Sequence, residues 1–151
     1  MDPSQLNFPA YSFTFRKEKD RQLIFDPVRR RYVTLTPEEW VRQHVIQFLI
    51  KSKDCPAGLL SVEGSINLFR TAKRYDLAVF DRQGKPLLVV ECKSPDVALN
   101  QSVIDQIIRY NMTVNAPYLY VTNGLIHLFL KKDQKGYRQI KELPLFSDLA
   151  E

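Results

Sequence analysis

One nearly unbroken apolar run, Leu87-Leu88-Val89-Val90, ends on the charged residues Glu91 and Lys93 with Cys92 between them, and this segment constrains the chain most. Its length and its branched side chains predict a strand. A second strand precedes it, Arg74-Tyr75-Asp76-Leu77-Ala78-Val79-Phe80-Asp81, and the polar stretch Arg82-Gln83-Gly84-Lys85-Pro86 joins the two as a hairpin. Side chains alternate across a strand, so Leu87, Val89, Glu91 and Lys93 are expected on one face. Arg74, Asp76, Ala78 and Phe80 are expected on one face of the partner. If the hairpin is symmetric about the Gln83–Gly84 bond, Phe80 faces Leu87, Ala78 faces Val89, and Asp76 faces Glu91.

That register places two carboxylates directly opposite each other, where Cβ atoms lie about 4.5–5.5 Å apart and like charges destabilise. On a half-apolar sheet each carboxylate raises the other's pKa unless a cation intervenes. A hard divalent cation with oxygen ligands resolves the conflict. Lys93 follows two residues after Glu91, about 6.7 Å along the same face. There its ammonium can orient an attacking water and offset charge developing on a phosphate. The set Asp76, Glu91 and Lys93 therefore points to phosphodiester hydrolysis. The plainer alternative is a Glu/Lys pair at a strand's wet end.

Around this hairpin the chain reads as one domain, with no repeat or low-complexity linker. Residues 1–35 form a β-rich N-terminal extension, with strands near Ser12–Phe15 and Gln22–Phe25 and a turn at Asp26-Pro27. Thr36-Pro37-Glu38-Glu39 opens a helix, with Thr36 as N-cap, Pro37 in the first position and Glu39 closing a capping box. Val41, Val45, Phe48 and Leu49 continue it at helical spacing to about Lys51–Lys53. A strand over Leu59–Leu68 leads into the hairpin. A second amphipathic helix spans Leu99–Val114. Tyr118–Thr122 is a strand, Asn123-Gly124 a two-residue hairpin turn, and Leu125–Leu130 the return. Residues 36–130 would be the core and 131–151 a hairpin end and patternless tail. This order predicts a mixed α/β fold, a central mixed sheet flanked by helices.

Two further elements supply candidates. Glu38 extends the apolar stripe of Val41 and Val45 and so competes with Glu39 as a third carboxylate aimed at the sheet, although either suits the first helical turn. Gln106 and Tyr110 lie four apart on the face that carries Val103, Ile107 and Val114, as support for the site or as helix packing.

The 151 residues are enough for one core without disulfides. No 18-residue apolar run predicts a membrane span, and Met1–Gln5 does not open like a secretory signal, which makes the cytoplasm the expected location. Two cysteines without CxxC or Cys/His clusters argue against zinc. The net charge of +5 suits an anionic partner. None of the five glycines opens or closes a phosphate-binding G-x-x-x-x-G-K-[ST] loop.

Asp76 followed by Glu91-Cys92-Lys93 resembles the D…(D/E)xK signature of the restriction-endonuclease-like superfamily. More narrowly, Leu35 to Gln43, Lys73 to Asp76, Val89 to Pro95, Asp105 to Asn111 and Val121 to Gly124 resemble the N-terminal nuclease domain of type I restriction enzyme R subunits. The resemblance implies a restriction-endonuclease-like core and Mg²⁺, with Mn²⁺ as a substitute, held by Asp76, Glu91 and the main-chain carbonyl of Cys92. It implies Lys93 as catalytic lysine, Glu38 as leading-helix acid, Gln106 and Tyr110 as support, and DNA as substrate. A separate motor or specificity subunit is the implied partner. The alternatives are a catalytically silent nucleic-acid-binding or assembly module of the same fold, and a nuclease directed at RNA or at repair.

Overall fold

Three short strands, β1 (Phe15–Glu18), β2 (Arg21–Asp26) and β3 (Arg31–Thr34), form an antiparallel sheet of their own in the computed structural model, which describes residues 3–150. The first strand starts three residues later than its alternation suggests, and β3 was not expected. Asp26 explains the turn between β2 and β3, since its Oδ1 accepts from the main-chain N–H groups of Val28 and Arg29, both at 2.8 Å.

Helix α1 (Pro37–Gln47) begins as its cap predicts, with Thr36 Oγ1 accepting from the Glu39 N–H at 3.0 Å. The return half of the capping box does not form, because the Glu39 carboxylate turns inward to arginine partners. Past Gln47 the helix widens into a π turn over Phe48–Ser52. Helix α2 (Gln101–Asn111) is shorter than expected, because Asn100 caps it by accepting from the Val103 N–H and a turn closes at Val114.

The main sheet runs β4 (Leu60–Leu68), β5 (Thr71–Phe80), β6 (Pro86–Cys92), β7 (Tyr118–Thr122), β8 (His127–Asp133) and β9 (Gly136–Ile140), in that spatial order. Among the described residues only β6 and β7 pair in parallel, joined by a crossover that contains α2. The rest is antiparallel, so the sheet is mixed and the chain is α/β as predicted. On one face Val41, Val45, Ile46 and Leu49 pack against Leu77, Val79, Leu88 and Val90. On the other, Ile107 and Val114 pack over Ala78, Val89, Leu119 and Val121. Each such Val, Leu or Ile side chain, when fully buried, contributes roughly 1.5–3 kcal/mol.

Several expectations need correction. A bulge between Val79 and Phe80 pairs Phe80 with Pro86 rather than Leu87, and Leu87 joins the cluster under α1 instead of sharing Val89's face. Deeper in the hairpin the register is the predicted one, Ala78 opposite Val89 and Leu77 opposite Val90. Asn123 and Gly124 do not form a two-residue turn. Asn123 Oδ1 accepts from the N–H groups of Leu125 and Ile126, and β8 starts only at His127. The tail is not patternless: Leu143 and Leu149 are fully buried, the latter on a short helix α3 (Phe146–Leu149). The sheet also continues past residue 130 through β9.

Gly64 is required by contact, since a Cβ there would collide with the Tyr75 hydroxyl group that donates to Ser61. Gly64→Ala is expected to lower stability by about 1–3 kcal/mol, read from urea denaturation. An unchanged midpoint would mean that Tyr75 can move aside freely.

Candidate active site

A cavity of about 580 Å³ opens at the far end of the β5–β6 pair, lined by Glu63, Arg74, Tyr75, Asp76, Glu91, Lys93, Gln106, Ile107, Tyr110 and Asn111. The fold therefore brings together five residues singled out from sequence: Asp76 on β5, Glu91 and Lys93 at the end of β6, and Gln106 and Tyr110 on α2. Asp76 is fixed by the backbone beside it, its Oδ2 accepting from the Cys92 N–H at 2.7 Å. A strand residue's N–H and C=O share an edge, so the Cys92 carbonyl lies on the β5 side of β6.

Glu91 sits within hydrogen-bonding reach of Asp76. Burial first, and then the Asp76 charge and hydrogen bond, push the Glu91 carboxyl up to about 8; Lys93 and Asn111 oppose the rise. The buried Asn111 Oδ1 has no hydrogen-bond partner, and Asn111 lines the same cavity. Two facing carboxyl groups with one orphaned oxygen nearby are a donor set that suits a small hard cation. Among the described residues, no three His, Cys, Asp or Glu side chains cluster as a ready metal cage. Any Mg²⁺ here would keep several waters, as that ion usually does.

Glu38 is placed elsewhere. It is exposed in the first turn of α1 and does not line the cavity, so its extension of the buried stripe is not realised. Glu39 takes the inward position. Its carboxylate binds Arg29 Nη2 at 3.0 Å and Arg42 Nη1 at 2.8 Å. Gln106 and Tyr110 face the cavity rather than the core. The Tyr110 hydroxyl accepts from the Arg74 N–H at 3.0 Å, which ties α2 to the start of the Asp76 strand. Both free thiols are buried; burial lifts Cys55 to about 12 and, together with the Asp76 charge, lifts Cys92 well above its ordinary value, so neither suits nucleophilic work.

Four residues around the site, Arg42, Arg29, Gln43 and Glu63, were not among the sequence candidates. Arg42, with a side chain only 6% exposed, reaches Glu39, Glu63 Oε1 at 3.4 Å and Asp76 Oδ1 at 3.6 Å. Arg29, in the turn between β2 and β3, pairs with Asp26 at 2.7 Å, with Glu39 and with Glu63 at 3.3 Å. Gln43 donates to Asp26 and Glu39. Burial pushes the Asp26 carboxyl up, but hydrogen bonds from Arg29 and Gln43 outweigh this and hold it below its usual value. Glu63 stands beside Asp76, between the paired positions Val62–Leu77 and Gly64–Tyr75, with a left-handed φ of 50°. A non-glycine residue in that region costs about 1–3 kcal/mol and tends to occur at working sites. The signal was present, an acid before a glycine in mid-strand, whereas the burial of Arg29 depends on contacts distant in sequence.

The family model described as type I restriction enzyme R protein N terminus (HSDR_N) matches residues 37–144. The chain belongs to this family. The HSDR_N region starts on the first residue of α1 and runs past β9, so it contains the whole cavity and leaves the β1–β3 sheet outside. Arg29 thus reaches into the HSDR_N region from beyond its edge. A search of curated proteins gives no match. Among solved structures, the chain is similar to a candidate nuclease belonging to DUF820 from Anabaena variabilis, at 13% identity and a TM-score of 0.49, covering 89% of this chain and 87% of that one.

Proposed function

We propose that the chain is a divalent-cation-dependent nuclease domain that hydrolyses DNA phosphodiester bonds in a restriction system. The observation that carries this reading is the Asp76–Glu91 carboxyl pair meeting Lys93 on one cavity wall. Asp76, Glu91 and the Cys92 carbonyl would hold Mg²⁺, or Mn²⁺ in its place. When bound, the cation supplies Lewis-acid stabilisation of charge on the scissile phosphate. Lys93 orients the attacking water and meets the growing negative charge with its ammonium. Gln106 offers amide donors to a phosphate oxygen, while Tyr110 holds the strand that carries Asp76. Arg42 keeps Asp76 in place from the opposite side. Glu38 stays outside this set as an outer acid of α1.

Family membership supports DNA as the substrate class and a motor or specificity subunit as partner. Among the described residues no helix is long and apolar enough to cross a membrane, and we place the work in the cytoplasm. One observation favours the silent-module alternative: Asp76 already has the Cys92 N–H and Arg42 as partners.

Plasmid incubated with Mg²⁺ or Mn²⁺ separates the two. The native chain is expected to nick or linearise it. Lys93→Ala should lose at least about 100-fold in rate, and Glu38→Gln should stay within about threefold. Cleavage that survives Lys93→Ala, or no cleavage with either metal beside intact DNA affinity, rejects the nuclease.

A further inference from the structure

The β4–β5 hairpin is built against the rules for tight turns. Leu68 pairs with Thr71, so the loop is the dipeptide Phe69-Arg70, where Asn-Gly or another glycine-bearing pair is favoured. Arg70 takes a left-handed φ of 68°, a conformation costly for a side chain of this kind. Phe69 is 89% exposed, the most exposed large apolar residue among those described. Phe69 belongs to neither core cluster, and Arg70 stands where a glycine would carry no strain. Choices that oppose local structure tend to mark function.

The neighbours of this turn share one chemistry. The Arg70 guanidinium lies 5.2 Å from the Phe69 ring centroid. Further along β5, the Lys73 ammonium sits 4.3 Å from the ring of Tyr110, itself 41% exposed. Arg74 follows and lines the cavity. Aromatic faces interleaved with cations thus run from the tip to Asp76. This is the composition that binds a nucleic-acid strand, with bases on the rings and phosphates on the cations. No carboxylate side chain occurs from Ser65 to Tyr75, so the arm's charge is uniformly positive. The tip stands seven residues before Asp76, a reach of roughly 23 Å along an extended strand. At about 3.4 Å per step of duplex strand, that spans some six or seven nucleotides.

We infer that the β4–β5 hairpin is a DNA-gripping arm, with Phe69 stacked on an unstacked base and Arg70, Lys73 and Arg74 on the phosphates leading toward Asp76 and Glu91. The assignment rests on the nuclease reading for its substrate, but it makes a separate claim about binding. The arm's grip does not depend on a divalent cation, so it can be measured in EDTA.

The test is fluorescence anisotropy with labelled single-stranded and duplex DNA of about 25 nucleotides in EDTA, over a salt series. Phe69→Ala should weaken binding about tenfold while leaving the slope of log K against log salt unchanged. Arg70→Ala/Lys73→Ala should flatten that slope by about 1–2. Thermal melts check that both variants fold. Native affinity in both variants, or no DNA affinity in the native chain, overturns the arm. Plasmid cleavage distinguishes this failure from that of the nuclease reading. Binding sensitive to Phe69 without cleavage sinks the nuclease and keeps the arm; cleavage with binding indifferent to Phe69 and the lysine–arginine pair does the reverse.

Discussion

At pH 8 and without divalent cations, Glu91→Gln is expected to melt on the order of 10 °C above the native chain. Near pH 5 the two should melt almost together. Burial and Asp76 hold the Glu91 carboxyl neutral up to about 8, against an ordinary value of 4.5. A carboxyl with a raised folded pKa contributes stability that is fully present below its unfolded value and is lost as pH rises through the folded one. Between those limits the unfolded chain releases the proton and the folded chain retains it. The interval bounds the loss at roughly 5 kcal/mol. Glutamine keeps the shape, can donate its amide to Asp76, and never ionises. Adding Mg²⁺ should reverse the ranking, because only the native chain gains a cation ligand and the associated stabilisation. Scanning calorimetry at several pH values, with and without Mg²⁺, makes the comparison. Parallel pH profiles for the two proteins would show that Glu91 and Asp76 do not share a site.

The second large effect is expected at Arg42. Arg42→Ala should lower stability by about 3–5 kcal/mol, since it empties a buried site and leaves the buried Glu39 with Arg29 as its remaining cation. The guanidinium meets Glu39 through Nη1 and both Glu63 and Asp76 through Nη2, and a lysine cannot reproduce that fork. Arg42→Lys should therefore recover only part of the loss. Urea denaturation at pH 7 reads both variants. A double-mutant cycle with Glu39→Ala should show coupling, the pair costing less than the two single changes together. A loss below about 1 kcal/mol for Arg42→Ala would class the contact with ordinary surface ion pairs.

Local chemistry made part of this structure readable in advance. Thr36 and Pro37 set the start of α1, because a cap and a fixed φ act within one turn. The pairing of Ala78 with Val89 followed from the symmetry of a short loop, and so did the approach of Asp76 to Glu91. The irregularity at Phe80 fell at the loop end, where it shifted Leu87 without disturbing the pairs beyond it. Other features depended on distant partners. Nothing near Arg29 signals that it will be buried against Glu39, ten residues on, or Glu63, on another sheet. Glu38 and Glu39 are chemically alike in the first turn, and only the position of those arginines decides which one turns inward. Leu143 and Leu149 looked patternless because a tail that plugs a core needs anchors rather than periodicity.

The reach of Arg29 has a practical consequence for anyone who wants to express or transplant this unit. A fragment trimmed to the HSDR_N boundaries would begin at Pro37 and discard Thr36, Asp26 and Arg29 together. Its leading helix would lose its cap, and Glu39 would keep one cation where it had two. The stretch from Asp26 to Thr36 behaves as a keystone for the cavity end of the sheet, and a graft that omits it would carry the cavity's side chains without the masonry that sets their spacing.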